Sequence, residues 1–111
     1  MEKNFSYEEI TDDLIVTNRQ ENETVKTNFE VGDIIFSLTG KGKIVAIEIR
    51  GFSSFLESCN IDPEIIKNIQ NIQLNILPKK ETIFILLKIE LLQENIIVSK
   101  NIPLVLPLIS Q

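Results

Sequence analysis

The sequence predicts an α+β domain built mainly from antiparallel β-sheet: a β-meander, a short helical segment and a second β-meander. Three observations lead there. Ile and Leu dominate the apolar residues and there is a single Ala, Ala46; β-branched side chains suit a pleated surface, whereas Ala suits helices. Short runs of alternating apolar and polar residues recur between Gly, Pro and Asn, the pattern of half-buried strands joined by turns. Helix-start signals are confined to the middle of the chain, at Ser54 and Asp62. A length of 111 residues fits a single domain spanning 1–111 and is short for two.

In chain order, Leu14-Ile15-Val16-Thr17 reads as a short strand after an acidic turn over residues 8–13. Val25, Thr27, Phe29 and Val31 alternate with Lys26, Asn28 and Glu30, which predicts a half-buried strand ended by a turn at Gly32-Asp33. Residues 34–38 and 43–50 flank Thr39-Gly40-Lys41-Gly42. That is a hairpin signal, because glycine supplies the positive φ of a tight turn. Across this hairpin Phe36 and Leu38 are expected to share a face with Val45, Ile47 and Ile49.

Ser54-Phe55-Leu56-Glu57 matches a capping box, with Ser54 as N-cap. Asp62-Pro63 predicts a second helix start, with Asp62 capping and Pro63 at the first helical position, where its missing N–H is not needed. Ile65, Ile66, Ile69 and Ile72 then form a helical stripe expected to pack on the sheet. Strands resume with Ile72, Leu74 and Ile76, continue over residues 82–92, and return from Gln93-Glu94-Asn95 into residues 96–102. Pro103 and Pro107 restrict the tail to an edge strand or an extended arm.

Composition excludes several chemistries. There is no His and one Cys, Cys59, so His-dependent triads, zinc sites of His and Cys, and disulfide scaffolds are not expected. No metal and no cofactor is expected. Cys59, near the end of the first helical segment, reads as a small hydrophobe and not as a nucleophile. Gly40-Lys41-Gly42-Lys43 is followed by a strand, so it reads as a hairpin turn and not as a phosphate loop. A net charge of −5 disfavours nucleic acid and anionic membrane surfaces as partners. The most apolar window, residues 83–92, contains Lys88 and Glu90 and is too short to cross a bilayer. Met1-Glu2-Lys3-Asn4-Phe5 has no apolar run of the signal-peptide kind. The expected location is cytoplasmic.

Tyr7-Glu8-Glu9-Ile10-Thr11-Asp12-Asp13-Leu14-Ile15-Val16, the hairpin over residues 33–49 ending in Val45-Ala46-Ile47-Glu48-Ile49, and Phe52-Ser53-Ser54-Phe55-Leu56 together resemble family 2283 of the domains of unknown function, small prokaryotic β-rich proteins. The resemblance covers the first half of the chain. It departs from the family at Ser37 and Thr39, where Asp is usual, and at Ala46, where Gly is usual. It implies a β-rich fold and an antitoxin-type binding role with a small basic protein as partner, and it carries no established activity.

Two sets of residues are candidates for function. Asp12 and Glu48 form a speculative polar site: a divalent-metal-binding or carboxylate-dependent enzyme would use them as ligands or as a general base. Acids in an exposed turn and on a strand's polar face are ordinarily solvated, so a non-enzymatic module is the expected class. The second set is an interface. In residues 82–92 both faces are apolar, with Ile83, Ile85, Leu87, Ile89 and Leu91 on one and Phe84 and Leu86 on the other. A strand in a two-layer domain has one face to bury against its own core. Phe84 and Leu86, with Leu104, Leu106 and Leu108 of the uncharged tail, are therefore expected to bury themselves in a homo-oligomer or a protein partner.

Overall fold

The computed structural model describes residues 4–107. Among these residues eight strands form two antiparallel sheets. The first has five strands in the order β1-β2-β5-β4-β3, and the second has three in the order β6-β7-β8. They comprise β1 (Phe5–Glu8), β2 (Asp13–Thr17), β3 (Val25–Val31), β4 (Ile34–Thr39), β5 (Ile44–Arg50), β6 (Ile69–Pro78), β7 (Thr82–Gln93) and β8 (Ile96–Pro107). Between the sheets in sequence lie α1 (Phe52–Ser58) and a 3-10 helix (Pro63–Asn68). The expected α+β class, two antiparallel strand regions around a short helical segment, is what the chain adopts.

Both sheets feed one hydrophobic core. Leu14, Val16, Phe36, Ile47 and Ile49 come from the first sheet; Ile72, Leu74 and the inward residues of β7 come from the second. Phe52 and Leu56 of α1 and Ile65 of the 3-10 helix complete the same cluster. Period-two alternation explains the membership: Ile85, Leu87, Ile89 and Leu91 are fully buried, while the residues between them point away. The Asn4 side-chain amide donates to the Ile72 carbonyl, and the Asn4 carbonyl accepts from the Thr17 amide at 2.8 Å. Asn4 therefore ties the N-terminal hairpin to the second sheet.

Several local expectations are corrected. Phe5–Glu8, to which the sequence assigns no strand and whose last residue it places in the acidic turn, is a strand paired with β2 in the register Phe5↔Val16 and Tyr7↔Leu14. In the β4–β5 hairpin the register shifts between Ser37 and Leu38, so that Leu38 faces Ile44. Ile44 thereby joins the shared core, while Val45 is buried outside that cluster. The capping box at Ser54 does not form: α1 begins three residues earlier, with Gly51 at the N-cap in the left-handed region (φ 65°). The Asp62 cap does form, its carboxylate accepting from the Glu64 amide at 2.9 Å with Pro63 in the first turn. The helical stripe is shorter than its spacing suggested, because Ile69 already opens β6 and Ile72 pairs with Ile89 as a strand residue. Pairing with β7 outweighs the 3.6-residue coincidence of four Ile.

As far as Pro107 the tail is an edge strand of its own sheet and not a free arm. Leu104 faces Ile85 and Leu106 faces Ile83 across β7. Leu106 is buried in the shared core and Leu104 packs against it, which removes both from the set of outward interface residues. Leu108 lies outside the described residues.

Candidate functional site

Asp12 sits in the turn between β1 and β2 with φ 59°, a conformation that Asp tolerates better than most residues. That turn brings its carboxylate to the start of α1. It accepts the Ser53 amide at 3.1 Å from both oxygens, the Ser53 hydroxyl at 2.6 Å and the Tyr7 hydroxyl at 2.5 Å. Its carbonyl accepts the Phe52 amide at 2.8 Å. The first orphan donors of α1 are thus satisfied by a residue some forty positions upstream, not by a local cap. Burial pushes the Asp12 carboxyl upward, but the Ser53 hydroxyl, the Tyr7 hydroxyl and the Ser53 amide outweigh it and hold it below its ordinary value. The same hydrogen bond to Asp12, helped by burial, pushes Tyr7 up to about 12.

This chemistry fits a clamp better than a catalyst. A carboxylate that already accepts three donors and is held below its ordinary value is a weak proton acceptor, and a phenol at about 12 is a weak acid.

Glu48 lies elsewhere in β5. It faces Ile15 on one side and Ile35 on the other, on the face of the first sheet opposite Ile47 and Ile49. Its charged neighbour is Arg50, with 3.9 Å between Nε and a carboxylate oxygen, and Arg50 also reaches Glu30 at 3.6 Å. Asp12 and Glu48 share no hydrogen-bond or ion-pair partner among the described residues. No group of three or more Asp, Glu or Cys placed to hold a metal ion occurs among those residues either. A shallow hollow of about 430 Å³ beside Tyr7 and Ser53 is lined also by Glu9, Glu64 and Lys67. Lys67 is already paired with Glu64 at 2.5 Å.

The other candidate is the outer face of the second sheet. Register fixes its rows. Leu77, Phe84 and Val105 stand side by side across β6, β7 and β8, with exposures of 52%, 38% and 53%. Next along the strands come Asn75, Leu86 and Pro103, then Gln73, Lys88 and Asn101, then Asn71, Glu90 and Ser99. Leu92 beside Ile97 closes the face, and both are exposed. Of the expected interface residues, Phe84 and Leu86 are on this face. Leu77, Val105, Leu92 and Ile97 were missed, although the period-two rule that placed Phe84 would have placed them once the pairing of β6 and β8 with β7 was known.

No family model matches the chain, and no curated protein or solved structure matches it either.

Proposed function

We propose that the protein is a non-enzymatic, self-associating module that pairs through the outer face of its second sheet. The observation that carries this reading is the cross-strand row of Leu77, Phe84 and Val105, three large apolar side chains left in water side by side. Scattered exposed apolar residues are ordinary, but a contiguous cluster on one face of a sheet marks a contact surface. The occupation of Asp12 as a helix clamp, and its separation from Glu48 in bonding partners, weigh against a reading in which these two carboxylates carry out catalysis.

Sedimentation velocity over a range of protein concentrations tests the proposal. A mass above that of the monomer, rising with concentration and lowered by Phe84→Asp, is the expected result. A monomer at all concentrations would overturn self-association, and a stoichiometric basic protein that co-purifies with it from lysate would favour a heterologous partner instead.

A further inference from the structure

We infer that a second copy of the chain docks head to tail, its β1–β2 turn seated in an apolar crevice between the two sheets. This contact is separate from the outer-face pairing proposed above and does not rest on it. The crevice, about 380 Å³ in volume, opens where the β4–β5 hairpin meets the β6–β7 hairpin. Ile44, Ile76, Pro78 and Ile83 give it apolar walls, and Lys41 and Lys43 line it from the β4–β5 turn. Ile44 is buried, Ile76 and Ile83 are half-buried and both lysines are exposed, so the apolar surface lies deep and the charge lies at the mouth. A volume of that order holds a ligand or a group of side chains. Lys79 and Lys80 follow Pro78 in the β6–β7 turn, ahead of Glu81, and are exposed as well. Of these four cations only Lys43 has an ion pair among the described residues, to Glu23 at 2.8 Å. An apolar hollow with a basic mouth selects an apolar side chain set among carboxylates.

The β1–β2 turn has that character. Ile10 at its tip is 92% exposed, and Glu8, Glu9, Asp12 and Asp13 flank it. Glu9 and Asp13 have no ion pair among the described residues, and Arg50, opposite Asp13, reaches Glu30 and Glu48 instead. Both surfaces are stiff. Asp12 fastens the turn to α1, and the Glu8 carboxylate accepts the Ile10 amide at 3.2 Å. At the crevice, the Thr39 hydroxyl accepts the amides of Lys41 at 3.3 Å and Lys43 at 3.2 Å, and the Thr39 carbonyl accepts that of Gly42 at 3.0 Å. Surfaces already formed lose little freedom on docking.

A chain does not fill its own crevice. Ile10 precedes β2, whereas Asn18, another lining residue, follows it. The five residues of β2 hold the two ends roughly 17 Å apart. Acidic turn and basic crevice therefore occupy opposite ends of the first sheet, and the contact is heterologous: each copy gives its turn to one neighbour and its crevice to another. Turn against turn, or crevice against crevice, would set like charges together.

Complementation by mixing tests the contact, with every chain carrying Phe84→Asp so that the outer face is silent. Sedimentation velocity up to about 1 mM, enough to populate a weak complex, is expected to show association that continues beyond two chains. Ile10→Lys and Lys41→Glu change exposed side chains, and thermal melts confirm that each variant folds. Each alone should weaken association at least about tenfold, as loss of a central contact residue does. An equimolar mixture of the two still contains one intact turn and one intact crevice. It should form a 1:1 heterodimer, with a dissociation constant within about threefold of the unsubstituted contact, and grow no further. Raising the salt from about 0.1 to 1 M, over which the screening length falls from about 10 to 3 Å, should weaken the contact at least about threefold. Weakening by Lys41→Glu but not by Ile10→Lys would put another part of the second copy in the crevice and overturn the assignment, as would two weakened variants that fail to combine. A Phe84→Asp chain that stays monomeric throughout would overturn the head-to-tail contact and leave outer-face pairing standing. Association of equal strength with and without Phe84→Asp, and lost with Ile10→Lys, would do the reverse.

Discussion

Asp12 shows how one side chain can decide whether a helix has a beginning. With φ 65° at Gly51 and no side-chain cap of its own, α1 relies on a carboxylate from the β1–β2 turn. Tyr7 is the single tyrosine, so tyrosinate absorbance reports on the clamp directly. The native protein should titrate near about 12, and Asp12→Asn should move the transition back toward 10. Both ionisations link to stability with defined signs. Tyr7 holds its proton more tightly when folded, so its contribution is complete below about pH 10 and is lost as the pH rises toward about 12. Asp12 is shifted the other way: its contribution is complete above its ordinary value of 3.8 and is lost as the pH falls below it. Removing the charge with Asp12→Asn should cost about 1–2 kcal/mol in urea unfolding at neutral pH. Glu48 makes the contrast. Its pairing with Arg50 is long and half-exposed, so Glu48→Gln should alter stability by less than about 0.5 kcal/mol. A much larger loss in the same unfolding assay would give Glu48 a role that its neighbours do not indicate.

At the scale of elements, the sequence was legible wherever pattern and turn chemistry agreed. The Thr39–Gly42 turn, the Asp62-Pro63 cap and the alternation of β7 each rest on adjacent residues, and each is present. Legibility failed where the deciding partner was remote. Ser54 and Glu57 have capping-box spacing, yet Gly51 and the distant Asp12 start the helix first. Ile69 and Ile72 have helical spacing, yet their pairing with Leu91 and Ile89 makes them strand residues. The outer face was half legible for the same reason: Phe84 and Leu86 could be read from β7 alone, whereas Leu77 and Val105 needed the register. One element also stores strain. The β7–β8 turn places Glu94 at φ 50° and Asn95 at φ 66°, a left-handed pair that suits Asn and Gly and is unfavourable for Glu. Glu94→Asn should raise stability by about 0.5–1 kcal/mol, read as a higher urea midpoint with an unchanged slope.

At the scale of the whole molecule, the strand order β1-β2-β5-β4-β3 has a consequence for the order of events in folding. β3, β4 and β5 are sequential neighbours, as are β6, β7 and β8, so each set can zip up from its own turns. The β1–β2 hairpin cannot. It adds to β5, not to β3, with Asp13 against Arg50 and Thr17 against Ala46, and must wait until the intervening meander has closed. Contacts of long sequence separation are entropically expensive to make early. The hairpin should therefore dock after the rate-limiting barrier, with the Asp12 clamp on α1 forming only then. In stopped-flow experiments Asp12→Asn should leave the refolding rate within about twofold and place most of its lost stability in faster unfolding. A refolding rate slowed in proportion to the lost stability would instead put the clamp inside the folding nucleus, with the N-terminal hairpin among the first parts of the chain to find its place.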